Sequence, residues 1–134
     1  SKQIRFYGTN NDEIFKISNF LEEQMQARVN SKKESETKEV NKQYNPHYLI
    51  ITDDLALTSK TGIITSILKE EECFGFSLLY LTEKLNSLPS ECSTFVSIDP
   101  NTGGVFENEL VNKKQEFKPD FVTRTIDNYI YHLS

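Results

Sequence analysis

The feature that most constrains this chain is an apolar run, residues 48–52 (YLIIT), that ends in two adjacent carboxylates, Asp53 and Asp54. A continuous apolar run of this length predicts a strand buried on both faces, as in a parallel sheet. In open α/β sheets, binding sites lie where such strands end, and the two acids stand at that end. The run therefore predicts a parallel α/β sheet with an acidic site at its carboxyl edge.

An acidic pair at this edge suits nucleotide hydrolysis. One carboxylate, with Asp53 as the candidate, can bind Mg²⁺, and its neighbour can orient the attacking water. Asp53 and Asp54 are therefore the candidate catalytic residues. In the structural alternative, Asp54 caps the segment after the strand and Asp53 faces solvent. The sequence leaves both interpretations open.

The loop that would grip the phosphates is degenerate. A P-loop reads G-x-x-x-x-G-K-[ST], because its backbone N–H groups and its lysine bind the phosphates and its Ser or Thr hydroxyl binds the metal. Neither Gly-Lys-Ser nor Gly-Lys-Thr occurs in the 134 residues. The equivalent place follows a strand predicted at residues 3–7, and its candidate phosphate-binding residues are Gly8, Thr9, Asn10 and Asn11. At a helix N-terminus their N–H groups can hold one anionic group, but the acids at positions 12 and 13 repel it. We therefore expect no tight ATP binding and no cofactor in this chain alone.

Hydrophobic spacing predicts helices and strands in alternation. A helix from Asn10 to about Val29 begins with a capping-box-like pair, Asn10 and Glu13. The charged residues 30–45 carry too little apolar surface to order strongly, so we expect them to extend this helix into solvent and then to form a mobile segment. Further predicted elements are a loop at 55–60, a helix at 63–68, strands at 74–82 and 93–99, a hairpin strand at 105–108 and a helix at 122–133. The lysines at 113, 114 and 118 are predicted to form a solvated surface.

This order predicts a three-layer α/β domain, with a mostly parallel sheet, helices on both faces and an antiparallel hairpin at one edge. The length fits a single domain, residues 1–134, and the patterns at both ends predict that it is excised from a larger protein. A net charge of -5 argues against nucleic acid as a partner. No apolar run reaches the roughly 18 residues of a membrane span. Cys73 and Cys92 lack the C-x-x-C spacing of zinc or redox sites, so reduced thiols are expected.

The order of these motifs resembles a known family. After the degenerate loop, the long helix, the acidic strand and the short helix come residues 75–82 (GFSLLYLT), 88–89 (LP), 91–92 (EC), 98–99 (ID) and 117–120 (FKPD). This order resembles FtsK/SpoIIIE-type ATPase modules, and more closely the EssC-type membrane-anchored ATPases of type VII secretion systems. The likeness spans nearly the whole chain.

The resemblance implies a P-loop-NTPase or RecA-like fold without the Walker A motif, and a Walker B-like position for Asp53 and Asp54. Thr82 stands at the sensor-like position, although residues 83–85 (EKL) replace the Gln-Arg-Pro that follows it in the family. It also implies a soluble domain on the cytoplasmic side of the cell membrane, in a membrane-anchored parent protein that uses Mg-ATP elsewhere. The implied partners are neighbouring ATPase modules, other components of the secretion machine and, indirectly, secreted proteins, with membrane contact only through the parent.

The leading interpretation is a non-catalytic or weakly nucleotide-binding module that acts in coupling or assembly with catalytic modules. A first alternative is a divergent ATPase that completes its site with a lysine or arginine from a neighbouring module. A second is a receiver-like or small-ligand α/β domain, because acids at strand ends occur there too. That alternative predicts a lysine late in the fold facing Asp53, and the sequence offers no obvious candidate.

Overall fold

The structure is a computed structural model that describes residues 6–34 and 44–119. The described residues divide into two compact units, one within residues 6–88 and the other within residues 89–119. The first unit holds helices and a parallel pair of strands, and the second holds an antiparallel sheet. The predicted α/β class is confirmed at this level.

Helix α1 spans Asn11–Glu34. Its start follows the predicted cap, because the Asn10 side chain accepts a hydrogen bond from the Glu13 N–H at 3.0 Å. The helix continues five residues beyond the predicted end at Val29, so the first part of the charged segment is helical, as expected. Residues 35–43, which complete that segment, lie outside the described residues.

The parallel pair consists of β1 (Tyr48–Thr52) and β2 (Phe76–Tyr80), in register from Tyr48 opposite Phe76 to Thr52 opposite Tyr80. Between them lie two helices, α2 (Leu55–Thr58) and α3 (Gly62–Lys69), and a 3₁₀ turn at Leu85–Ser87 follows β2. Helix α3 was predicted at residues 63–68, and it begins one residue earlier and ends one residue later than predicted. Helix α2 stands where a loop was predicted.

The core of this unit joins one face of the parallel pair to the two longer helices. Its buried hydrophobic residues come from α1, α3, both strands and the turn before β2, and they are Leu21, Met25, Val29, Tyr48, Ile63, Ile64, Phe74 and Phe76. Tyr48 and Phe76 are stacked with ring centroids 5.2 Å apart. Helices α1 and α3 therefore cover the inner face of the strands.

The prediction that β1 is buried on both faces is wrong for the residues that the structure describes. Leu49 and Ile51 are 60% and 56% exposed, and Leu79 on β2 is 45% exposed. The reason is that side chains of a strand alternate between faces, and α1 and α3 both pack on the face of Tyr48 and Phe76. Of the predicted first strand, residues 6 and 7 are described and are not in a strand, and the rest lies outside the described residues, as does the predicted helix at 122–133.

In the second unit, residues 89–119 form three antiparallel strands, β3 (Thr94–Asp99), β4 (Gly103–Asn108) and β5 (Lys113–Phe117), in that spatial order. The hairpin of β3 and β4 was predicted, but it belongs to a sheet of its own and not to the edge of the parallel pair. The third strand was not predicted, because its lysines, with Glu116 among them, suggested a solvated surface. The β3–β4 turn depends on Asp99, whose carboxylate accepts the N–H groups of Asn101 and Thr102 at 2.7 and 2.9 Å.

Candidate functional site

The two acids after β1 have different surroundings. The Asp54 carboxylate accepts the Leu57 N–H at 2.9 Å and is the N-cap of α2. Its backbone carbonyl accepts the Thr58 hydroxyl at 2.6 Å, which closes the same turn a second time. The structure thus shows the capping alternative at Asp54, and this cap explains why a helical turn replaces the predicted loop.

Asp53 is exposed at the carboxyl edge of the parallel pair. The residue before it, Thr52, is buried, and its carbonyl accepts the Leu81 N–H at 2.8 Å, so the sheet pairing continues past β2 up to this point. Asp53 and the segment that carries Thr82 therefore lie at the same carboxyl edge of the parallel pair.

The Thr52 side chain stabilises the turn that carries the two acids, and it was not among the residues predicted from the sequence. Its hydroxyl accepts the Asp54 N–H at 3.2 Å and lies 3.3 Å from the Thr58 hydroxyl. The sequence does contain a signal for this role: Thr52 is a hydroxyl residue at the end of an apolar strand, and a buried hydroxyl needs a hydrogen-bond partner nearby.

The Thr82 side chain forms hydrogen bonds within the turn that follows it. Its hydroxyl accepts the Lys84 N–H at 3.1 Å and forms a hydrogen bond of 3.0 Å with the Ser87 hydroxyl. These bonds form a local side-chain-to-backbone motif that leads into the 3₁₀ turn. Thr82 thus lies just after β2, and its side chain binds the loop that follows it.

The candidate phosphate loop before α1 is engaged by an acid of its own helix. The Glu13 carboxylate accepts the Thr9 N–H at 2.9 Å and the Thr9 hydroxyl at 3.3 Å. The Thr9 N–H bond is the main reason why the pKa of Glu13 lies below its ordinary value, so this carboxylate is ionised at neutral pH. Gly8 packs closely against Ile14 and Ile17, since a Cβ at this position would lie 3.1–3.2 Å from their side chains. The anion beside the loop is therefore supplied by the chain itself.

The predicted magnesium site depends on the oxygen donors at the carboxyl edge. Mg²⁺ requires near-octahedral oxygen ligands, and protein sites usually combine carboxylates with waters and substrate phosphates. With Asp54 acting as a cap, the pair leaves the one carboxylate of Asp53 for a cation. Among the described residues, no group of three or more His, Cys, Asp or Glu side chains is placed to hold a metal.

At the opposite, amino edge of the parallel pair, Arg28 contacts the residues just before both strands. The sequence did not predict these contacts. The guanidinium donates to the carbonyl of Phe74 at 2.8 Å and to that of Pro46 at 2.7 Å, just before β2 and β1 respectively. It also lies over the rings of Tyr44, Tyr48 and Phe76, at 5.4, 5.2 and 5.1 Å from their centroids. One side chain of α1 therefore fixes the starts of both parallel strands.

The turn that Arg28 binds is conformationally demanding. Phe74 has φ of 45° and Gly75 has φ of 77°, so two successive residues adopt the left-handed region. Such a φ is unusual for a bulky residue like Phe74. At Gly75 a Cβ would lie 2.5 Å from the Tyr44 side chain and 2.6 Å from the Arg28 guanidinium, so only glycine fits without a shift of these groups. The bond from Arg28 to the Phe74 carbonyl stabilises this turn.

None of the helices within residues 6–34 and 44–119 combines the length and hydropathy that a bilayer span requires. Comparison of the chain with known proteins finds no matching family, no similar curated protein and no similar solved structure.

Proposed function

We propose that this chain is a non-catalytic, ATPase-like module of an EssC-type (FtsK/SpoIIIE family) type VII secretion motor, which acts in coupling or assembly beside catalytic modules. The resemblance in motif order is the basis for the family. The observation that carries the non-catalytic part is the bond from the Thr9 N–H to the Glu13 carboxylate, in the loop that would have to receive a phosphate.

A phosphate entering this loop would have to displace Glu13. Replacing the Glu13 carboxylate with a phosphate brings no additional electrostatic attraction, because the loop contains no lysine and the exposed Asp12 lies beside it. At the other half of the site, Asp54 caps α2 and Thr82 binds its own turn. Catalysis of phosphoryl transfer depends on positioned cations around the phosphates, and these side chains supply none.

In this proposal the module belongs to the cytoplasmic side of a membrane-anchored parent protein. Its partners are the neighbouring ATPase modules and other components of the secretion machine, and it meets secreted proteins indirectly. Mg-ATP acts in the other modules of the parent. The module contributes packing surfaces rather than a reaction.

The test is thermal unfolding of the chain with and without about 5 mM Mg-ATP. A site with a dissociation constant of about 100 μM would add about 2.3 kcal/mol of stability at that concentration, which moves the melting temperature by several degrees. We expect no shift in the wild type or in Asp53→Asn. Glu13→Gln is the informative companion, because it removes the internal anion. A clear stabilisation of the wild type that disappears in Asp53→Asn would overturn the proposal.

A second candidate function rests on a different observation. Asp53 is exposed at the same sheet edge as the segment that carries Thr82, so a lysine or arginine from a neighbouring module could complete a site there. This divergent ATPase predicts hydrolysis by the intact parent protein that is lost in Asp53→Asn with folding preserved. Hydrolysis unchanged by Asp53→Asn in the parent would exclude it.

A further inference from the structure

The turn that leads into β2 has a strained backbone. The Cys73 carbonyl accepts the Phe76 N–H at 2.7 Å, and the two residues between them, Phe74 and Gly75, both have positive φ. Turns with two positive φ values favour Asn, Asp or Gly at both central positions, because the left-handed region is costly for other residues. Phe74 therefore keeps this conformation only while its surroundings impose it. We call residues 73–76 the left-handed turn.

The contacts that impose this conformation come from helix α1. The Arg28 guanidinium donates to the Phe74 carbonyl at 2.8 Å. One helical turn further on, Lys32 Nζ lies 5.8 Å from the centroid of the Phe74 ring, and the same group pairs with Glu72, directly before the left-handed turn. The Phe74 side chain itself is buried. Two successive turns of one helix thus hold this segment in place.

The left-handed turn is also bonded to both parallel strands. The Gly75 carbonyl accepts the Tyr48 N–H at 2.8 Å, and Tyr48 and Phe76 are the first residues of β1 and β2. Phe74 lies between the two carbonyls, of Cys73 and Gly75, that accept these N–H groups. A return of Phe74 to negative φ would reorient one carbonyl relative to the other, so both bonds would break in one event.

We infer that the left-handed turn is a two-state element, through which a displacement of α1 releases the amino ends of both parallel strands. In the closed state Arg28 binds the Phe74 carbonyl, and in the open state Phe74 has relaxed to negative φ. Strain that persists only under surrounding contacts is typical of switch regions, and packed elements change between discrete arrangements. Because this coupling lies within the first unit, it does not rest on the function proposed above.

Native-state hydrogen exchange tests this coupling. Exchange of single amides in the ¹⁵N-labelled full chain is followed by nuclear magnetic resonance at several low urea concentrations. We expect the Tyr48 and Phe76 amides to open with the same free energy and with little dependence on urea, because opening of a short turn exposes little surface. The amide of Met25, a fully buried residue of α1, should exchange more slowly and with the strong urea dependence of global unfolding.

Two substitutions should favour the open state, and a third is their control. Arg28→Lys, which can bond one carbonyl at a time, should speed exchange of both amides about tenfold. Gly75→Ala should speed both at least as much, because alanine disfavours positive φ and its Cβ would lie 2.5 Å from the Tyr44 side chain. Gly103→Ala makes the same kind of change at φ of 91° in the second unit, and it should leave both amides unchanged.

Four results would overturn the inference. The first two concern the wild type: different opening free energies for Tyr48 and Phe76, or exchange of both only through the strongly urea-dependent opening seen at Met25. The other two concern the variants: acceleration of one amide alone by Arg28→Lys, or equal acceleration by Gly75→Ala and Gly103→Ala. If a variant does not fold, the urea series on the wild type still decides between a shared local opening and global unfolding.

Discussion

Replacement of Arg28 by methionine tests how the parallel pair is held at its amino edge. The guanidinium donates to two backbone carbonyls, of Phe74 and Pro46, and lies about 5 Å from three aromatic rings. Methionine keeps an apolar stem of similar length, so the change removes the hydrogen bonds and the charge with little loss of packing. Arg28→Lys is the companion variant, because an ammonium group keeps the charge but cannot form the same planar fork.

The size of the effect follows from these contacts. Hydrogen bonds from charged donors contribute about 1.5 kcal/mol each at the lower end of their range, so the two bonds contribute about 3 kcal/mol. A half-buried cation over aromatic rings adds about 0.5–1 kcal/mol. We therefore expect Arg28→Met to lower the free energy of unfolding by about 3–4 kcal/mol. Arg28→Lys, which can bond one carbonyl at a time, should lower it by about half as much.

Urea unfolding followed by circular dichroism measures both values. With a slope of about 2 kcal/mol per molar urea, the midpoint should fall by nearly 2 M in Arg28→Met and by about 1 M in Arg28→Lys. Gln26→Met is the matched control, because Gln26 is exposed on the same helix and its change should stay within about 0.5 kcal/mol. An Arg28→Met midpoint equal to that of the control would refute the role of this cluster.

Three further predictions concern single groups. Asp54→Ala should lower the free energy of unfolding by about 1 kcal/mol because α2 loses its cap, whereas Asp53→Ala should change it by less than about 0.5 kcal/mol; urea unfolding of both variants checks this, and equal effects would contradict the difference between the two acids. The pKa of Glu13 is lowered, so its contribution to stability is present above its ordinary value of 4.5 and is lost as the pH falls through the folded pKa. The melting temperature measured from pH 6 to pH 3 should therefore fall less steeply in Glu13→Gln than in the wild type. Burial, with a smaller effect of a neighbouring glutamate, raises the pKa of the Cys92 thiol. Iodoacetamide at pH 8 should therefore alkylate the exposed Cys73 faster than Cys92. Mass spectrometry of the digested protein measures both rates, and faster alkylation of Cys92 would contradict the prediction.

Structural features that depend on residues close together in the sequence were predicted from it. The N-terminus of α1 is defined by Asn10 and Glu13, three residues apart, and the sequence placed it correctly. The β3–β4 hairpin was also found, because its turn residues lie next to one another. The sequence likewise offered Asp54 as a cap, although it could not decide between a cap and a catalyst.

Features that depend on distant residues were missed. Strand β5 reads KKQEF, and it is a strand because it pairs with β4, not because of its own composition. The contacts of Arg28 reach carbonyls 18 and 46 positions away, and backbone carbonyls carry no residue-specific signal. The exposure of Leu49 and Ile51 was missed for the same reason, because an apolar run does not show which face its helices will cover.

The claim that the acidic edge and the loop before α1 do not form a nucleotide site is tested most directly by nuclear magnetic resonance. Amide chemical shifts of the ¹⁵N-labelled chain are followed while Mg-ATP is added to several millimolar. The account predicts no saturable shifts at Gly8, Thr9, Asn11, Asp53 or Thr82, because Glu13 already occupies the loop. Saturable shifts that are concentrated at these amides, and that vanish in Asp53→Asn, would contradict it.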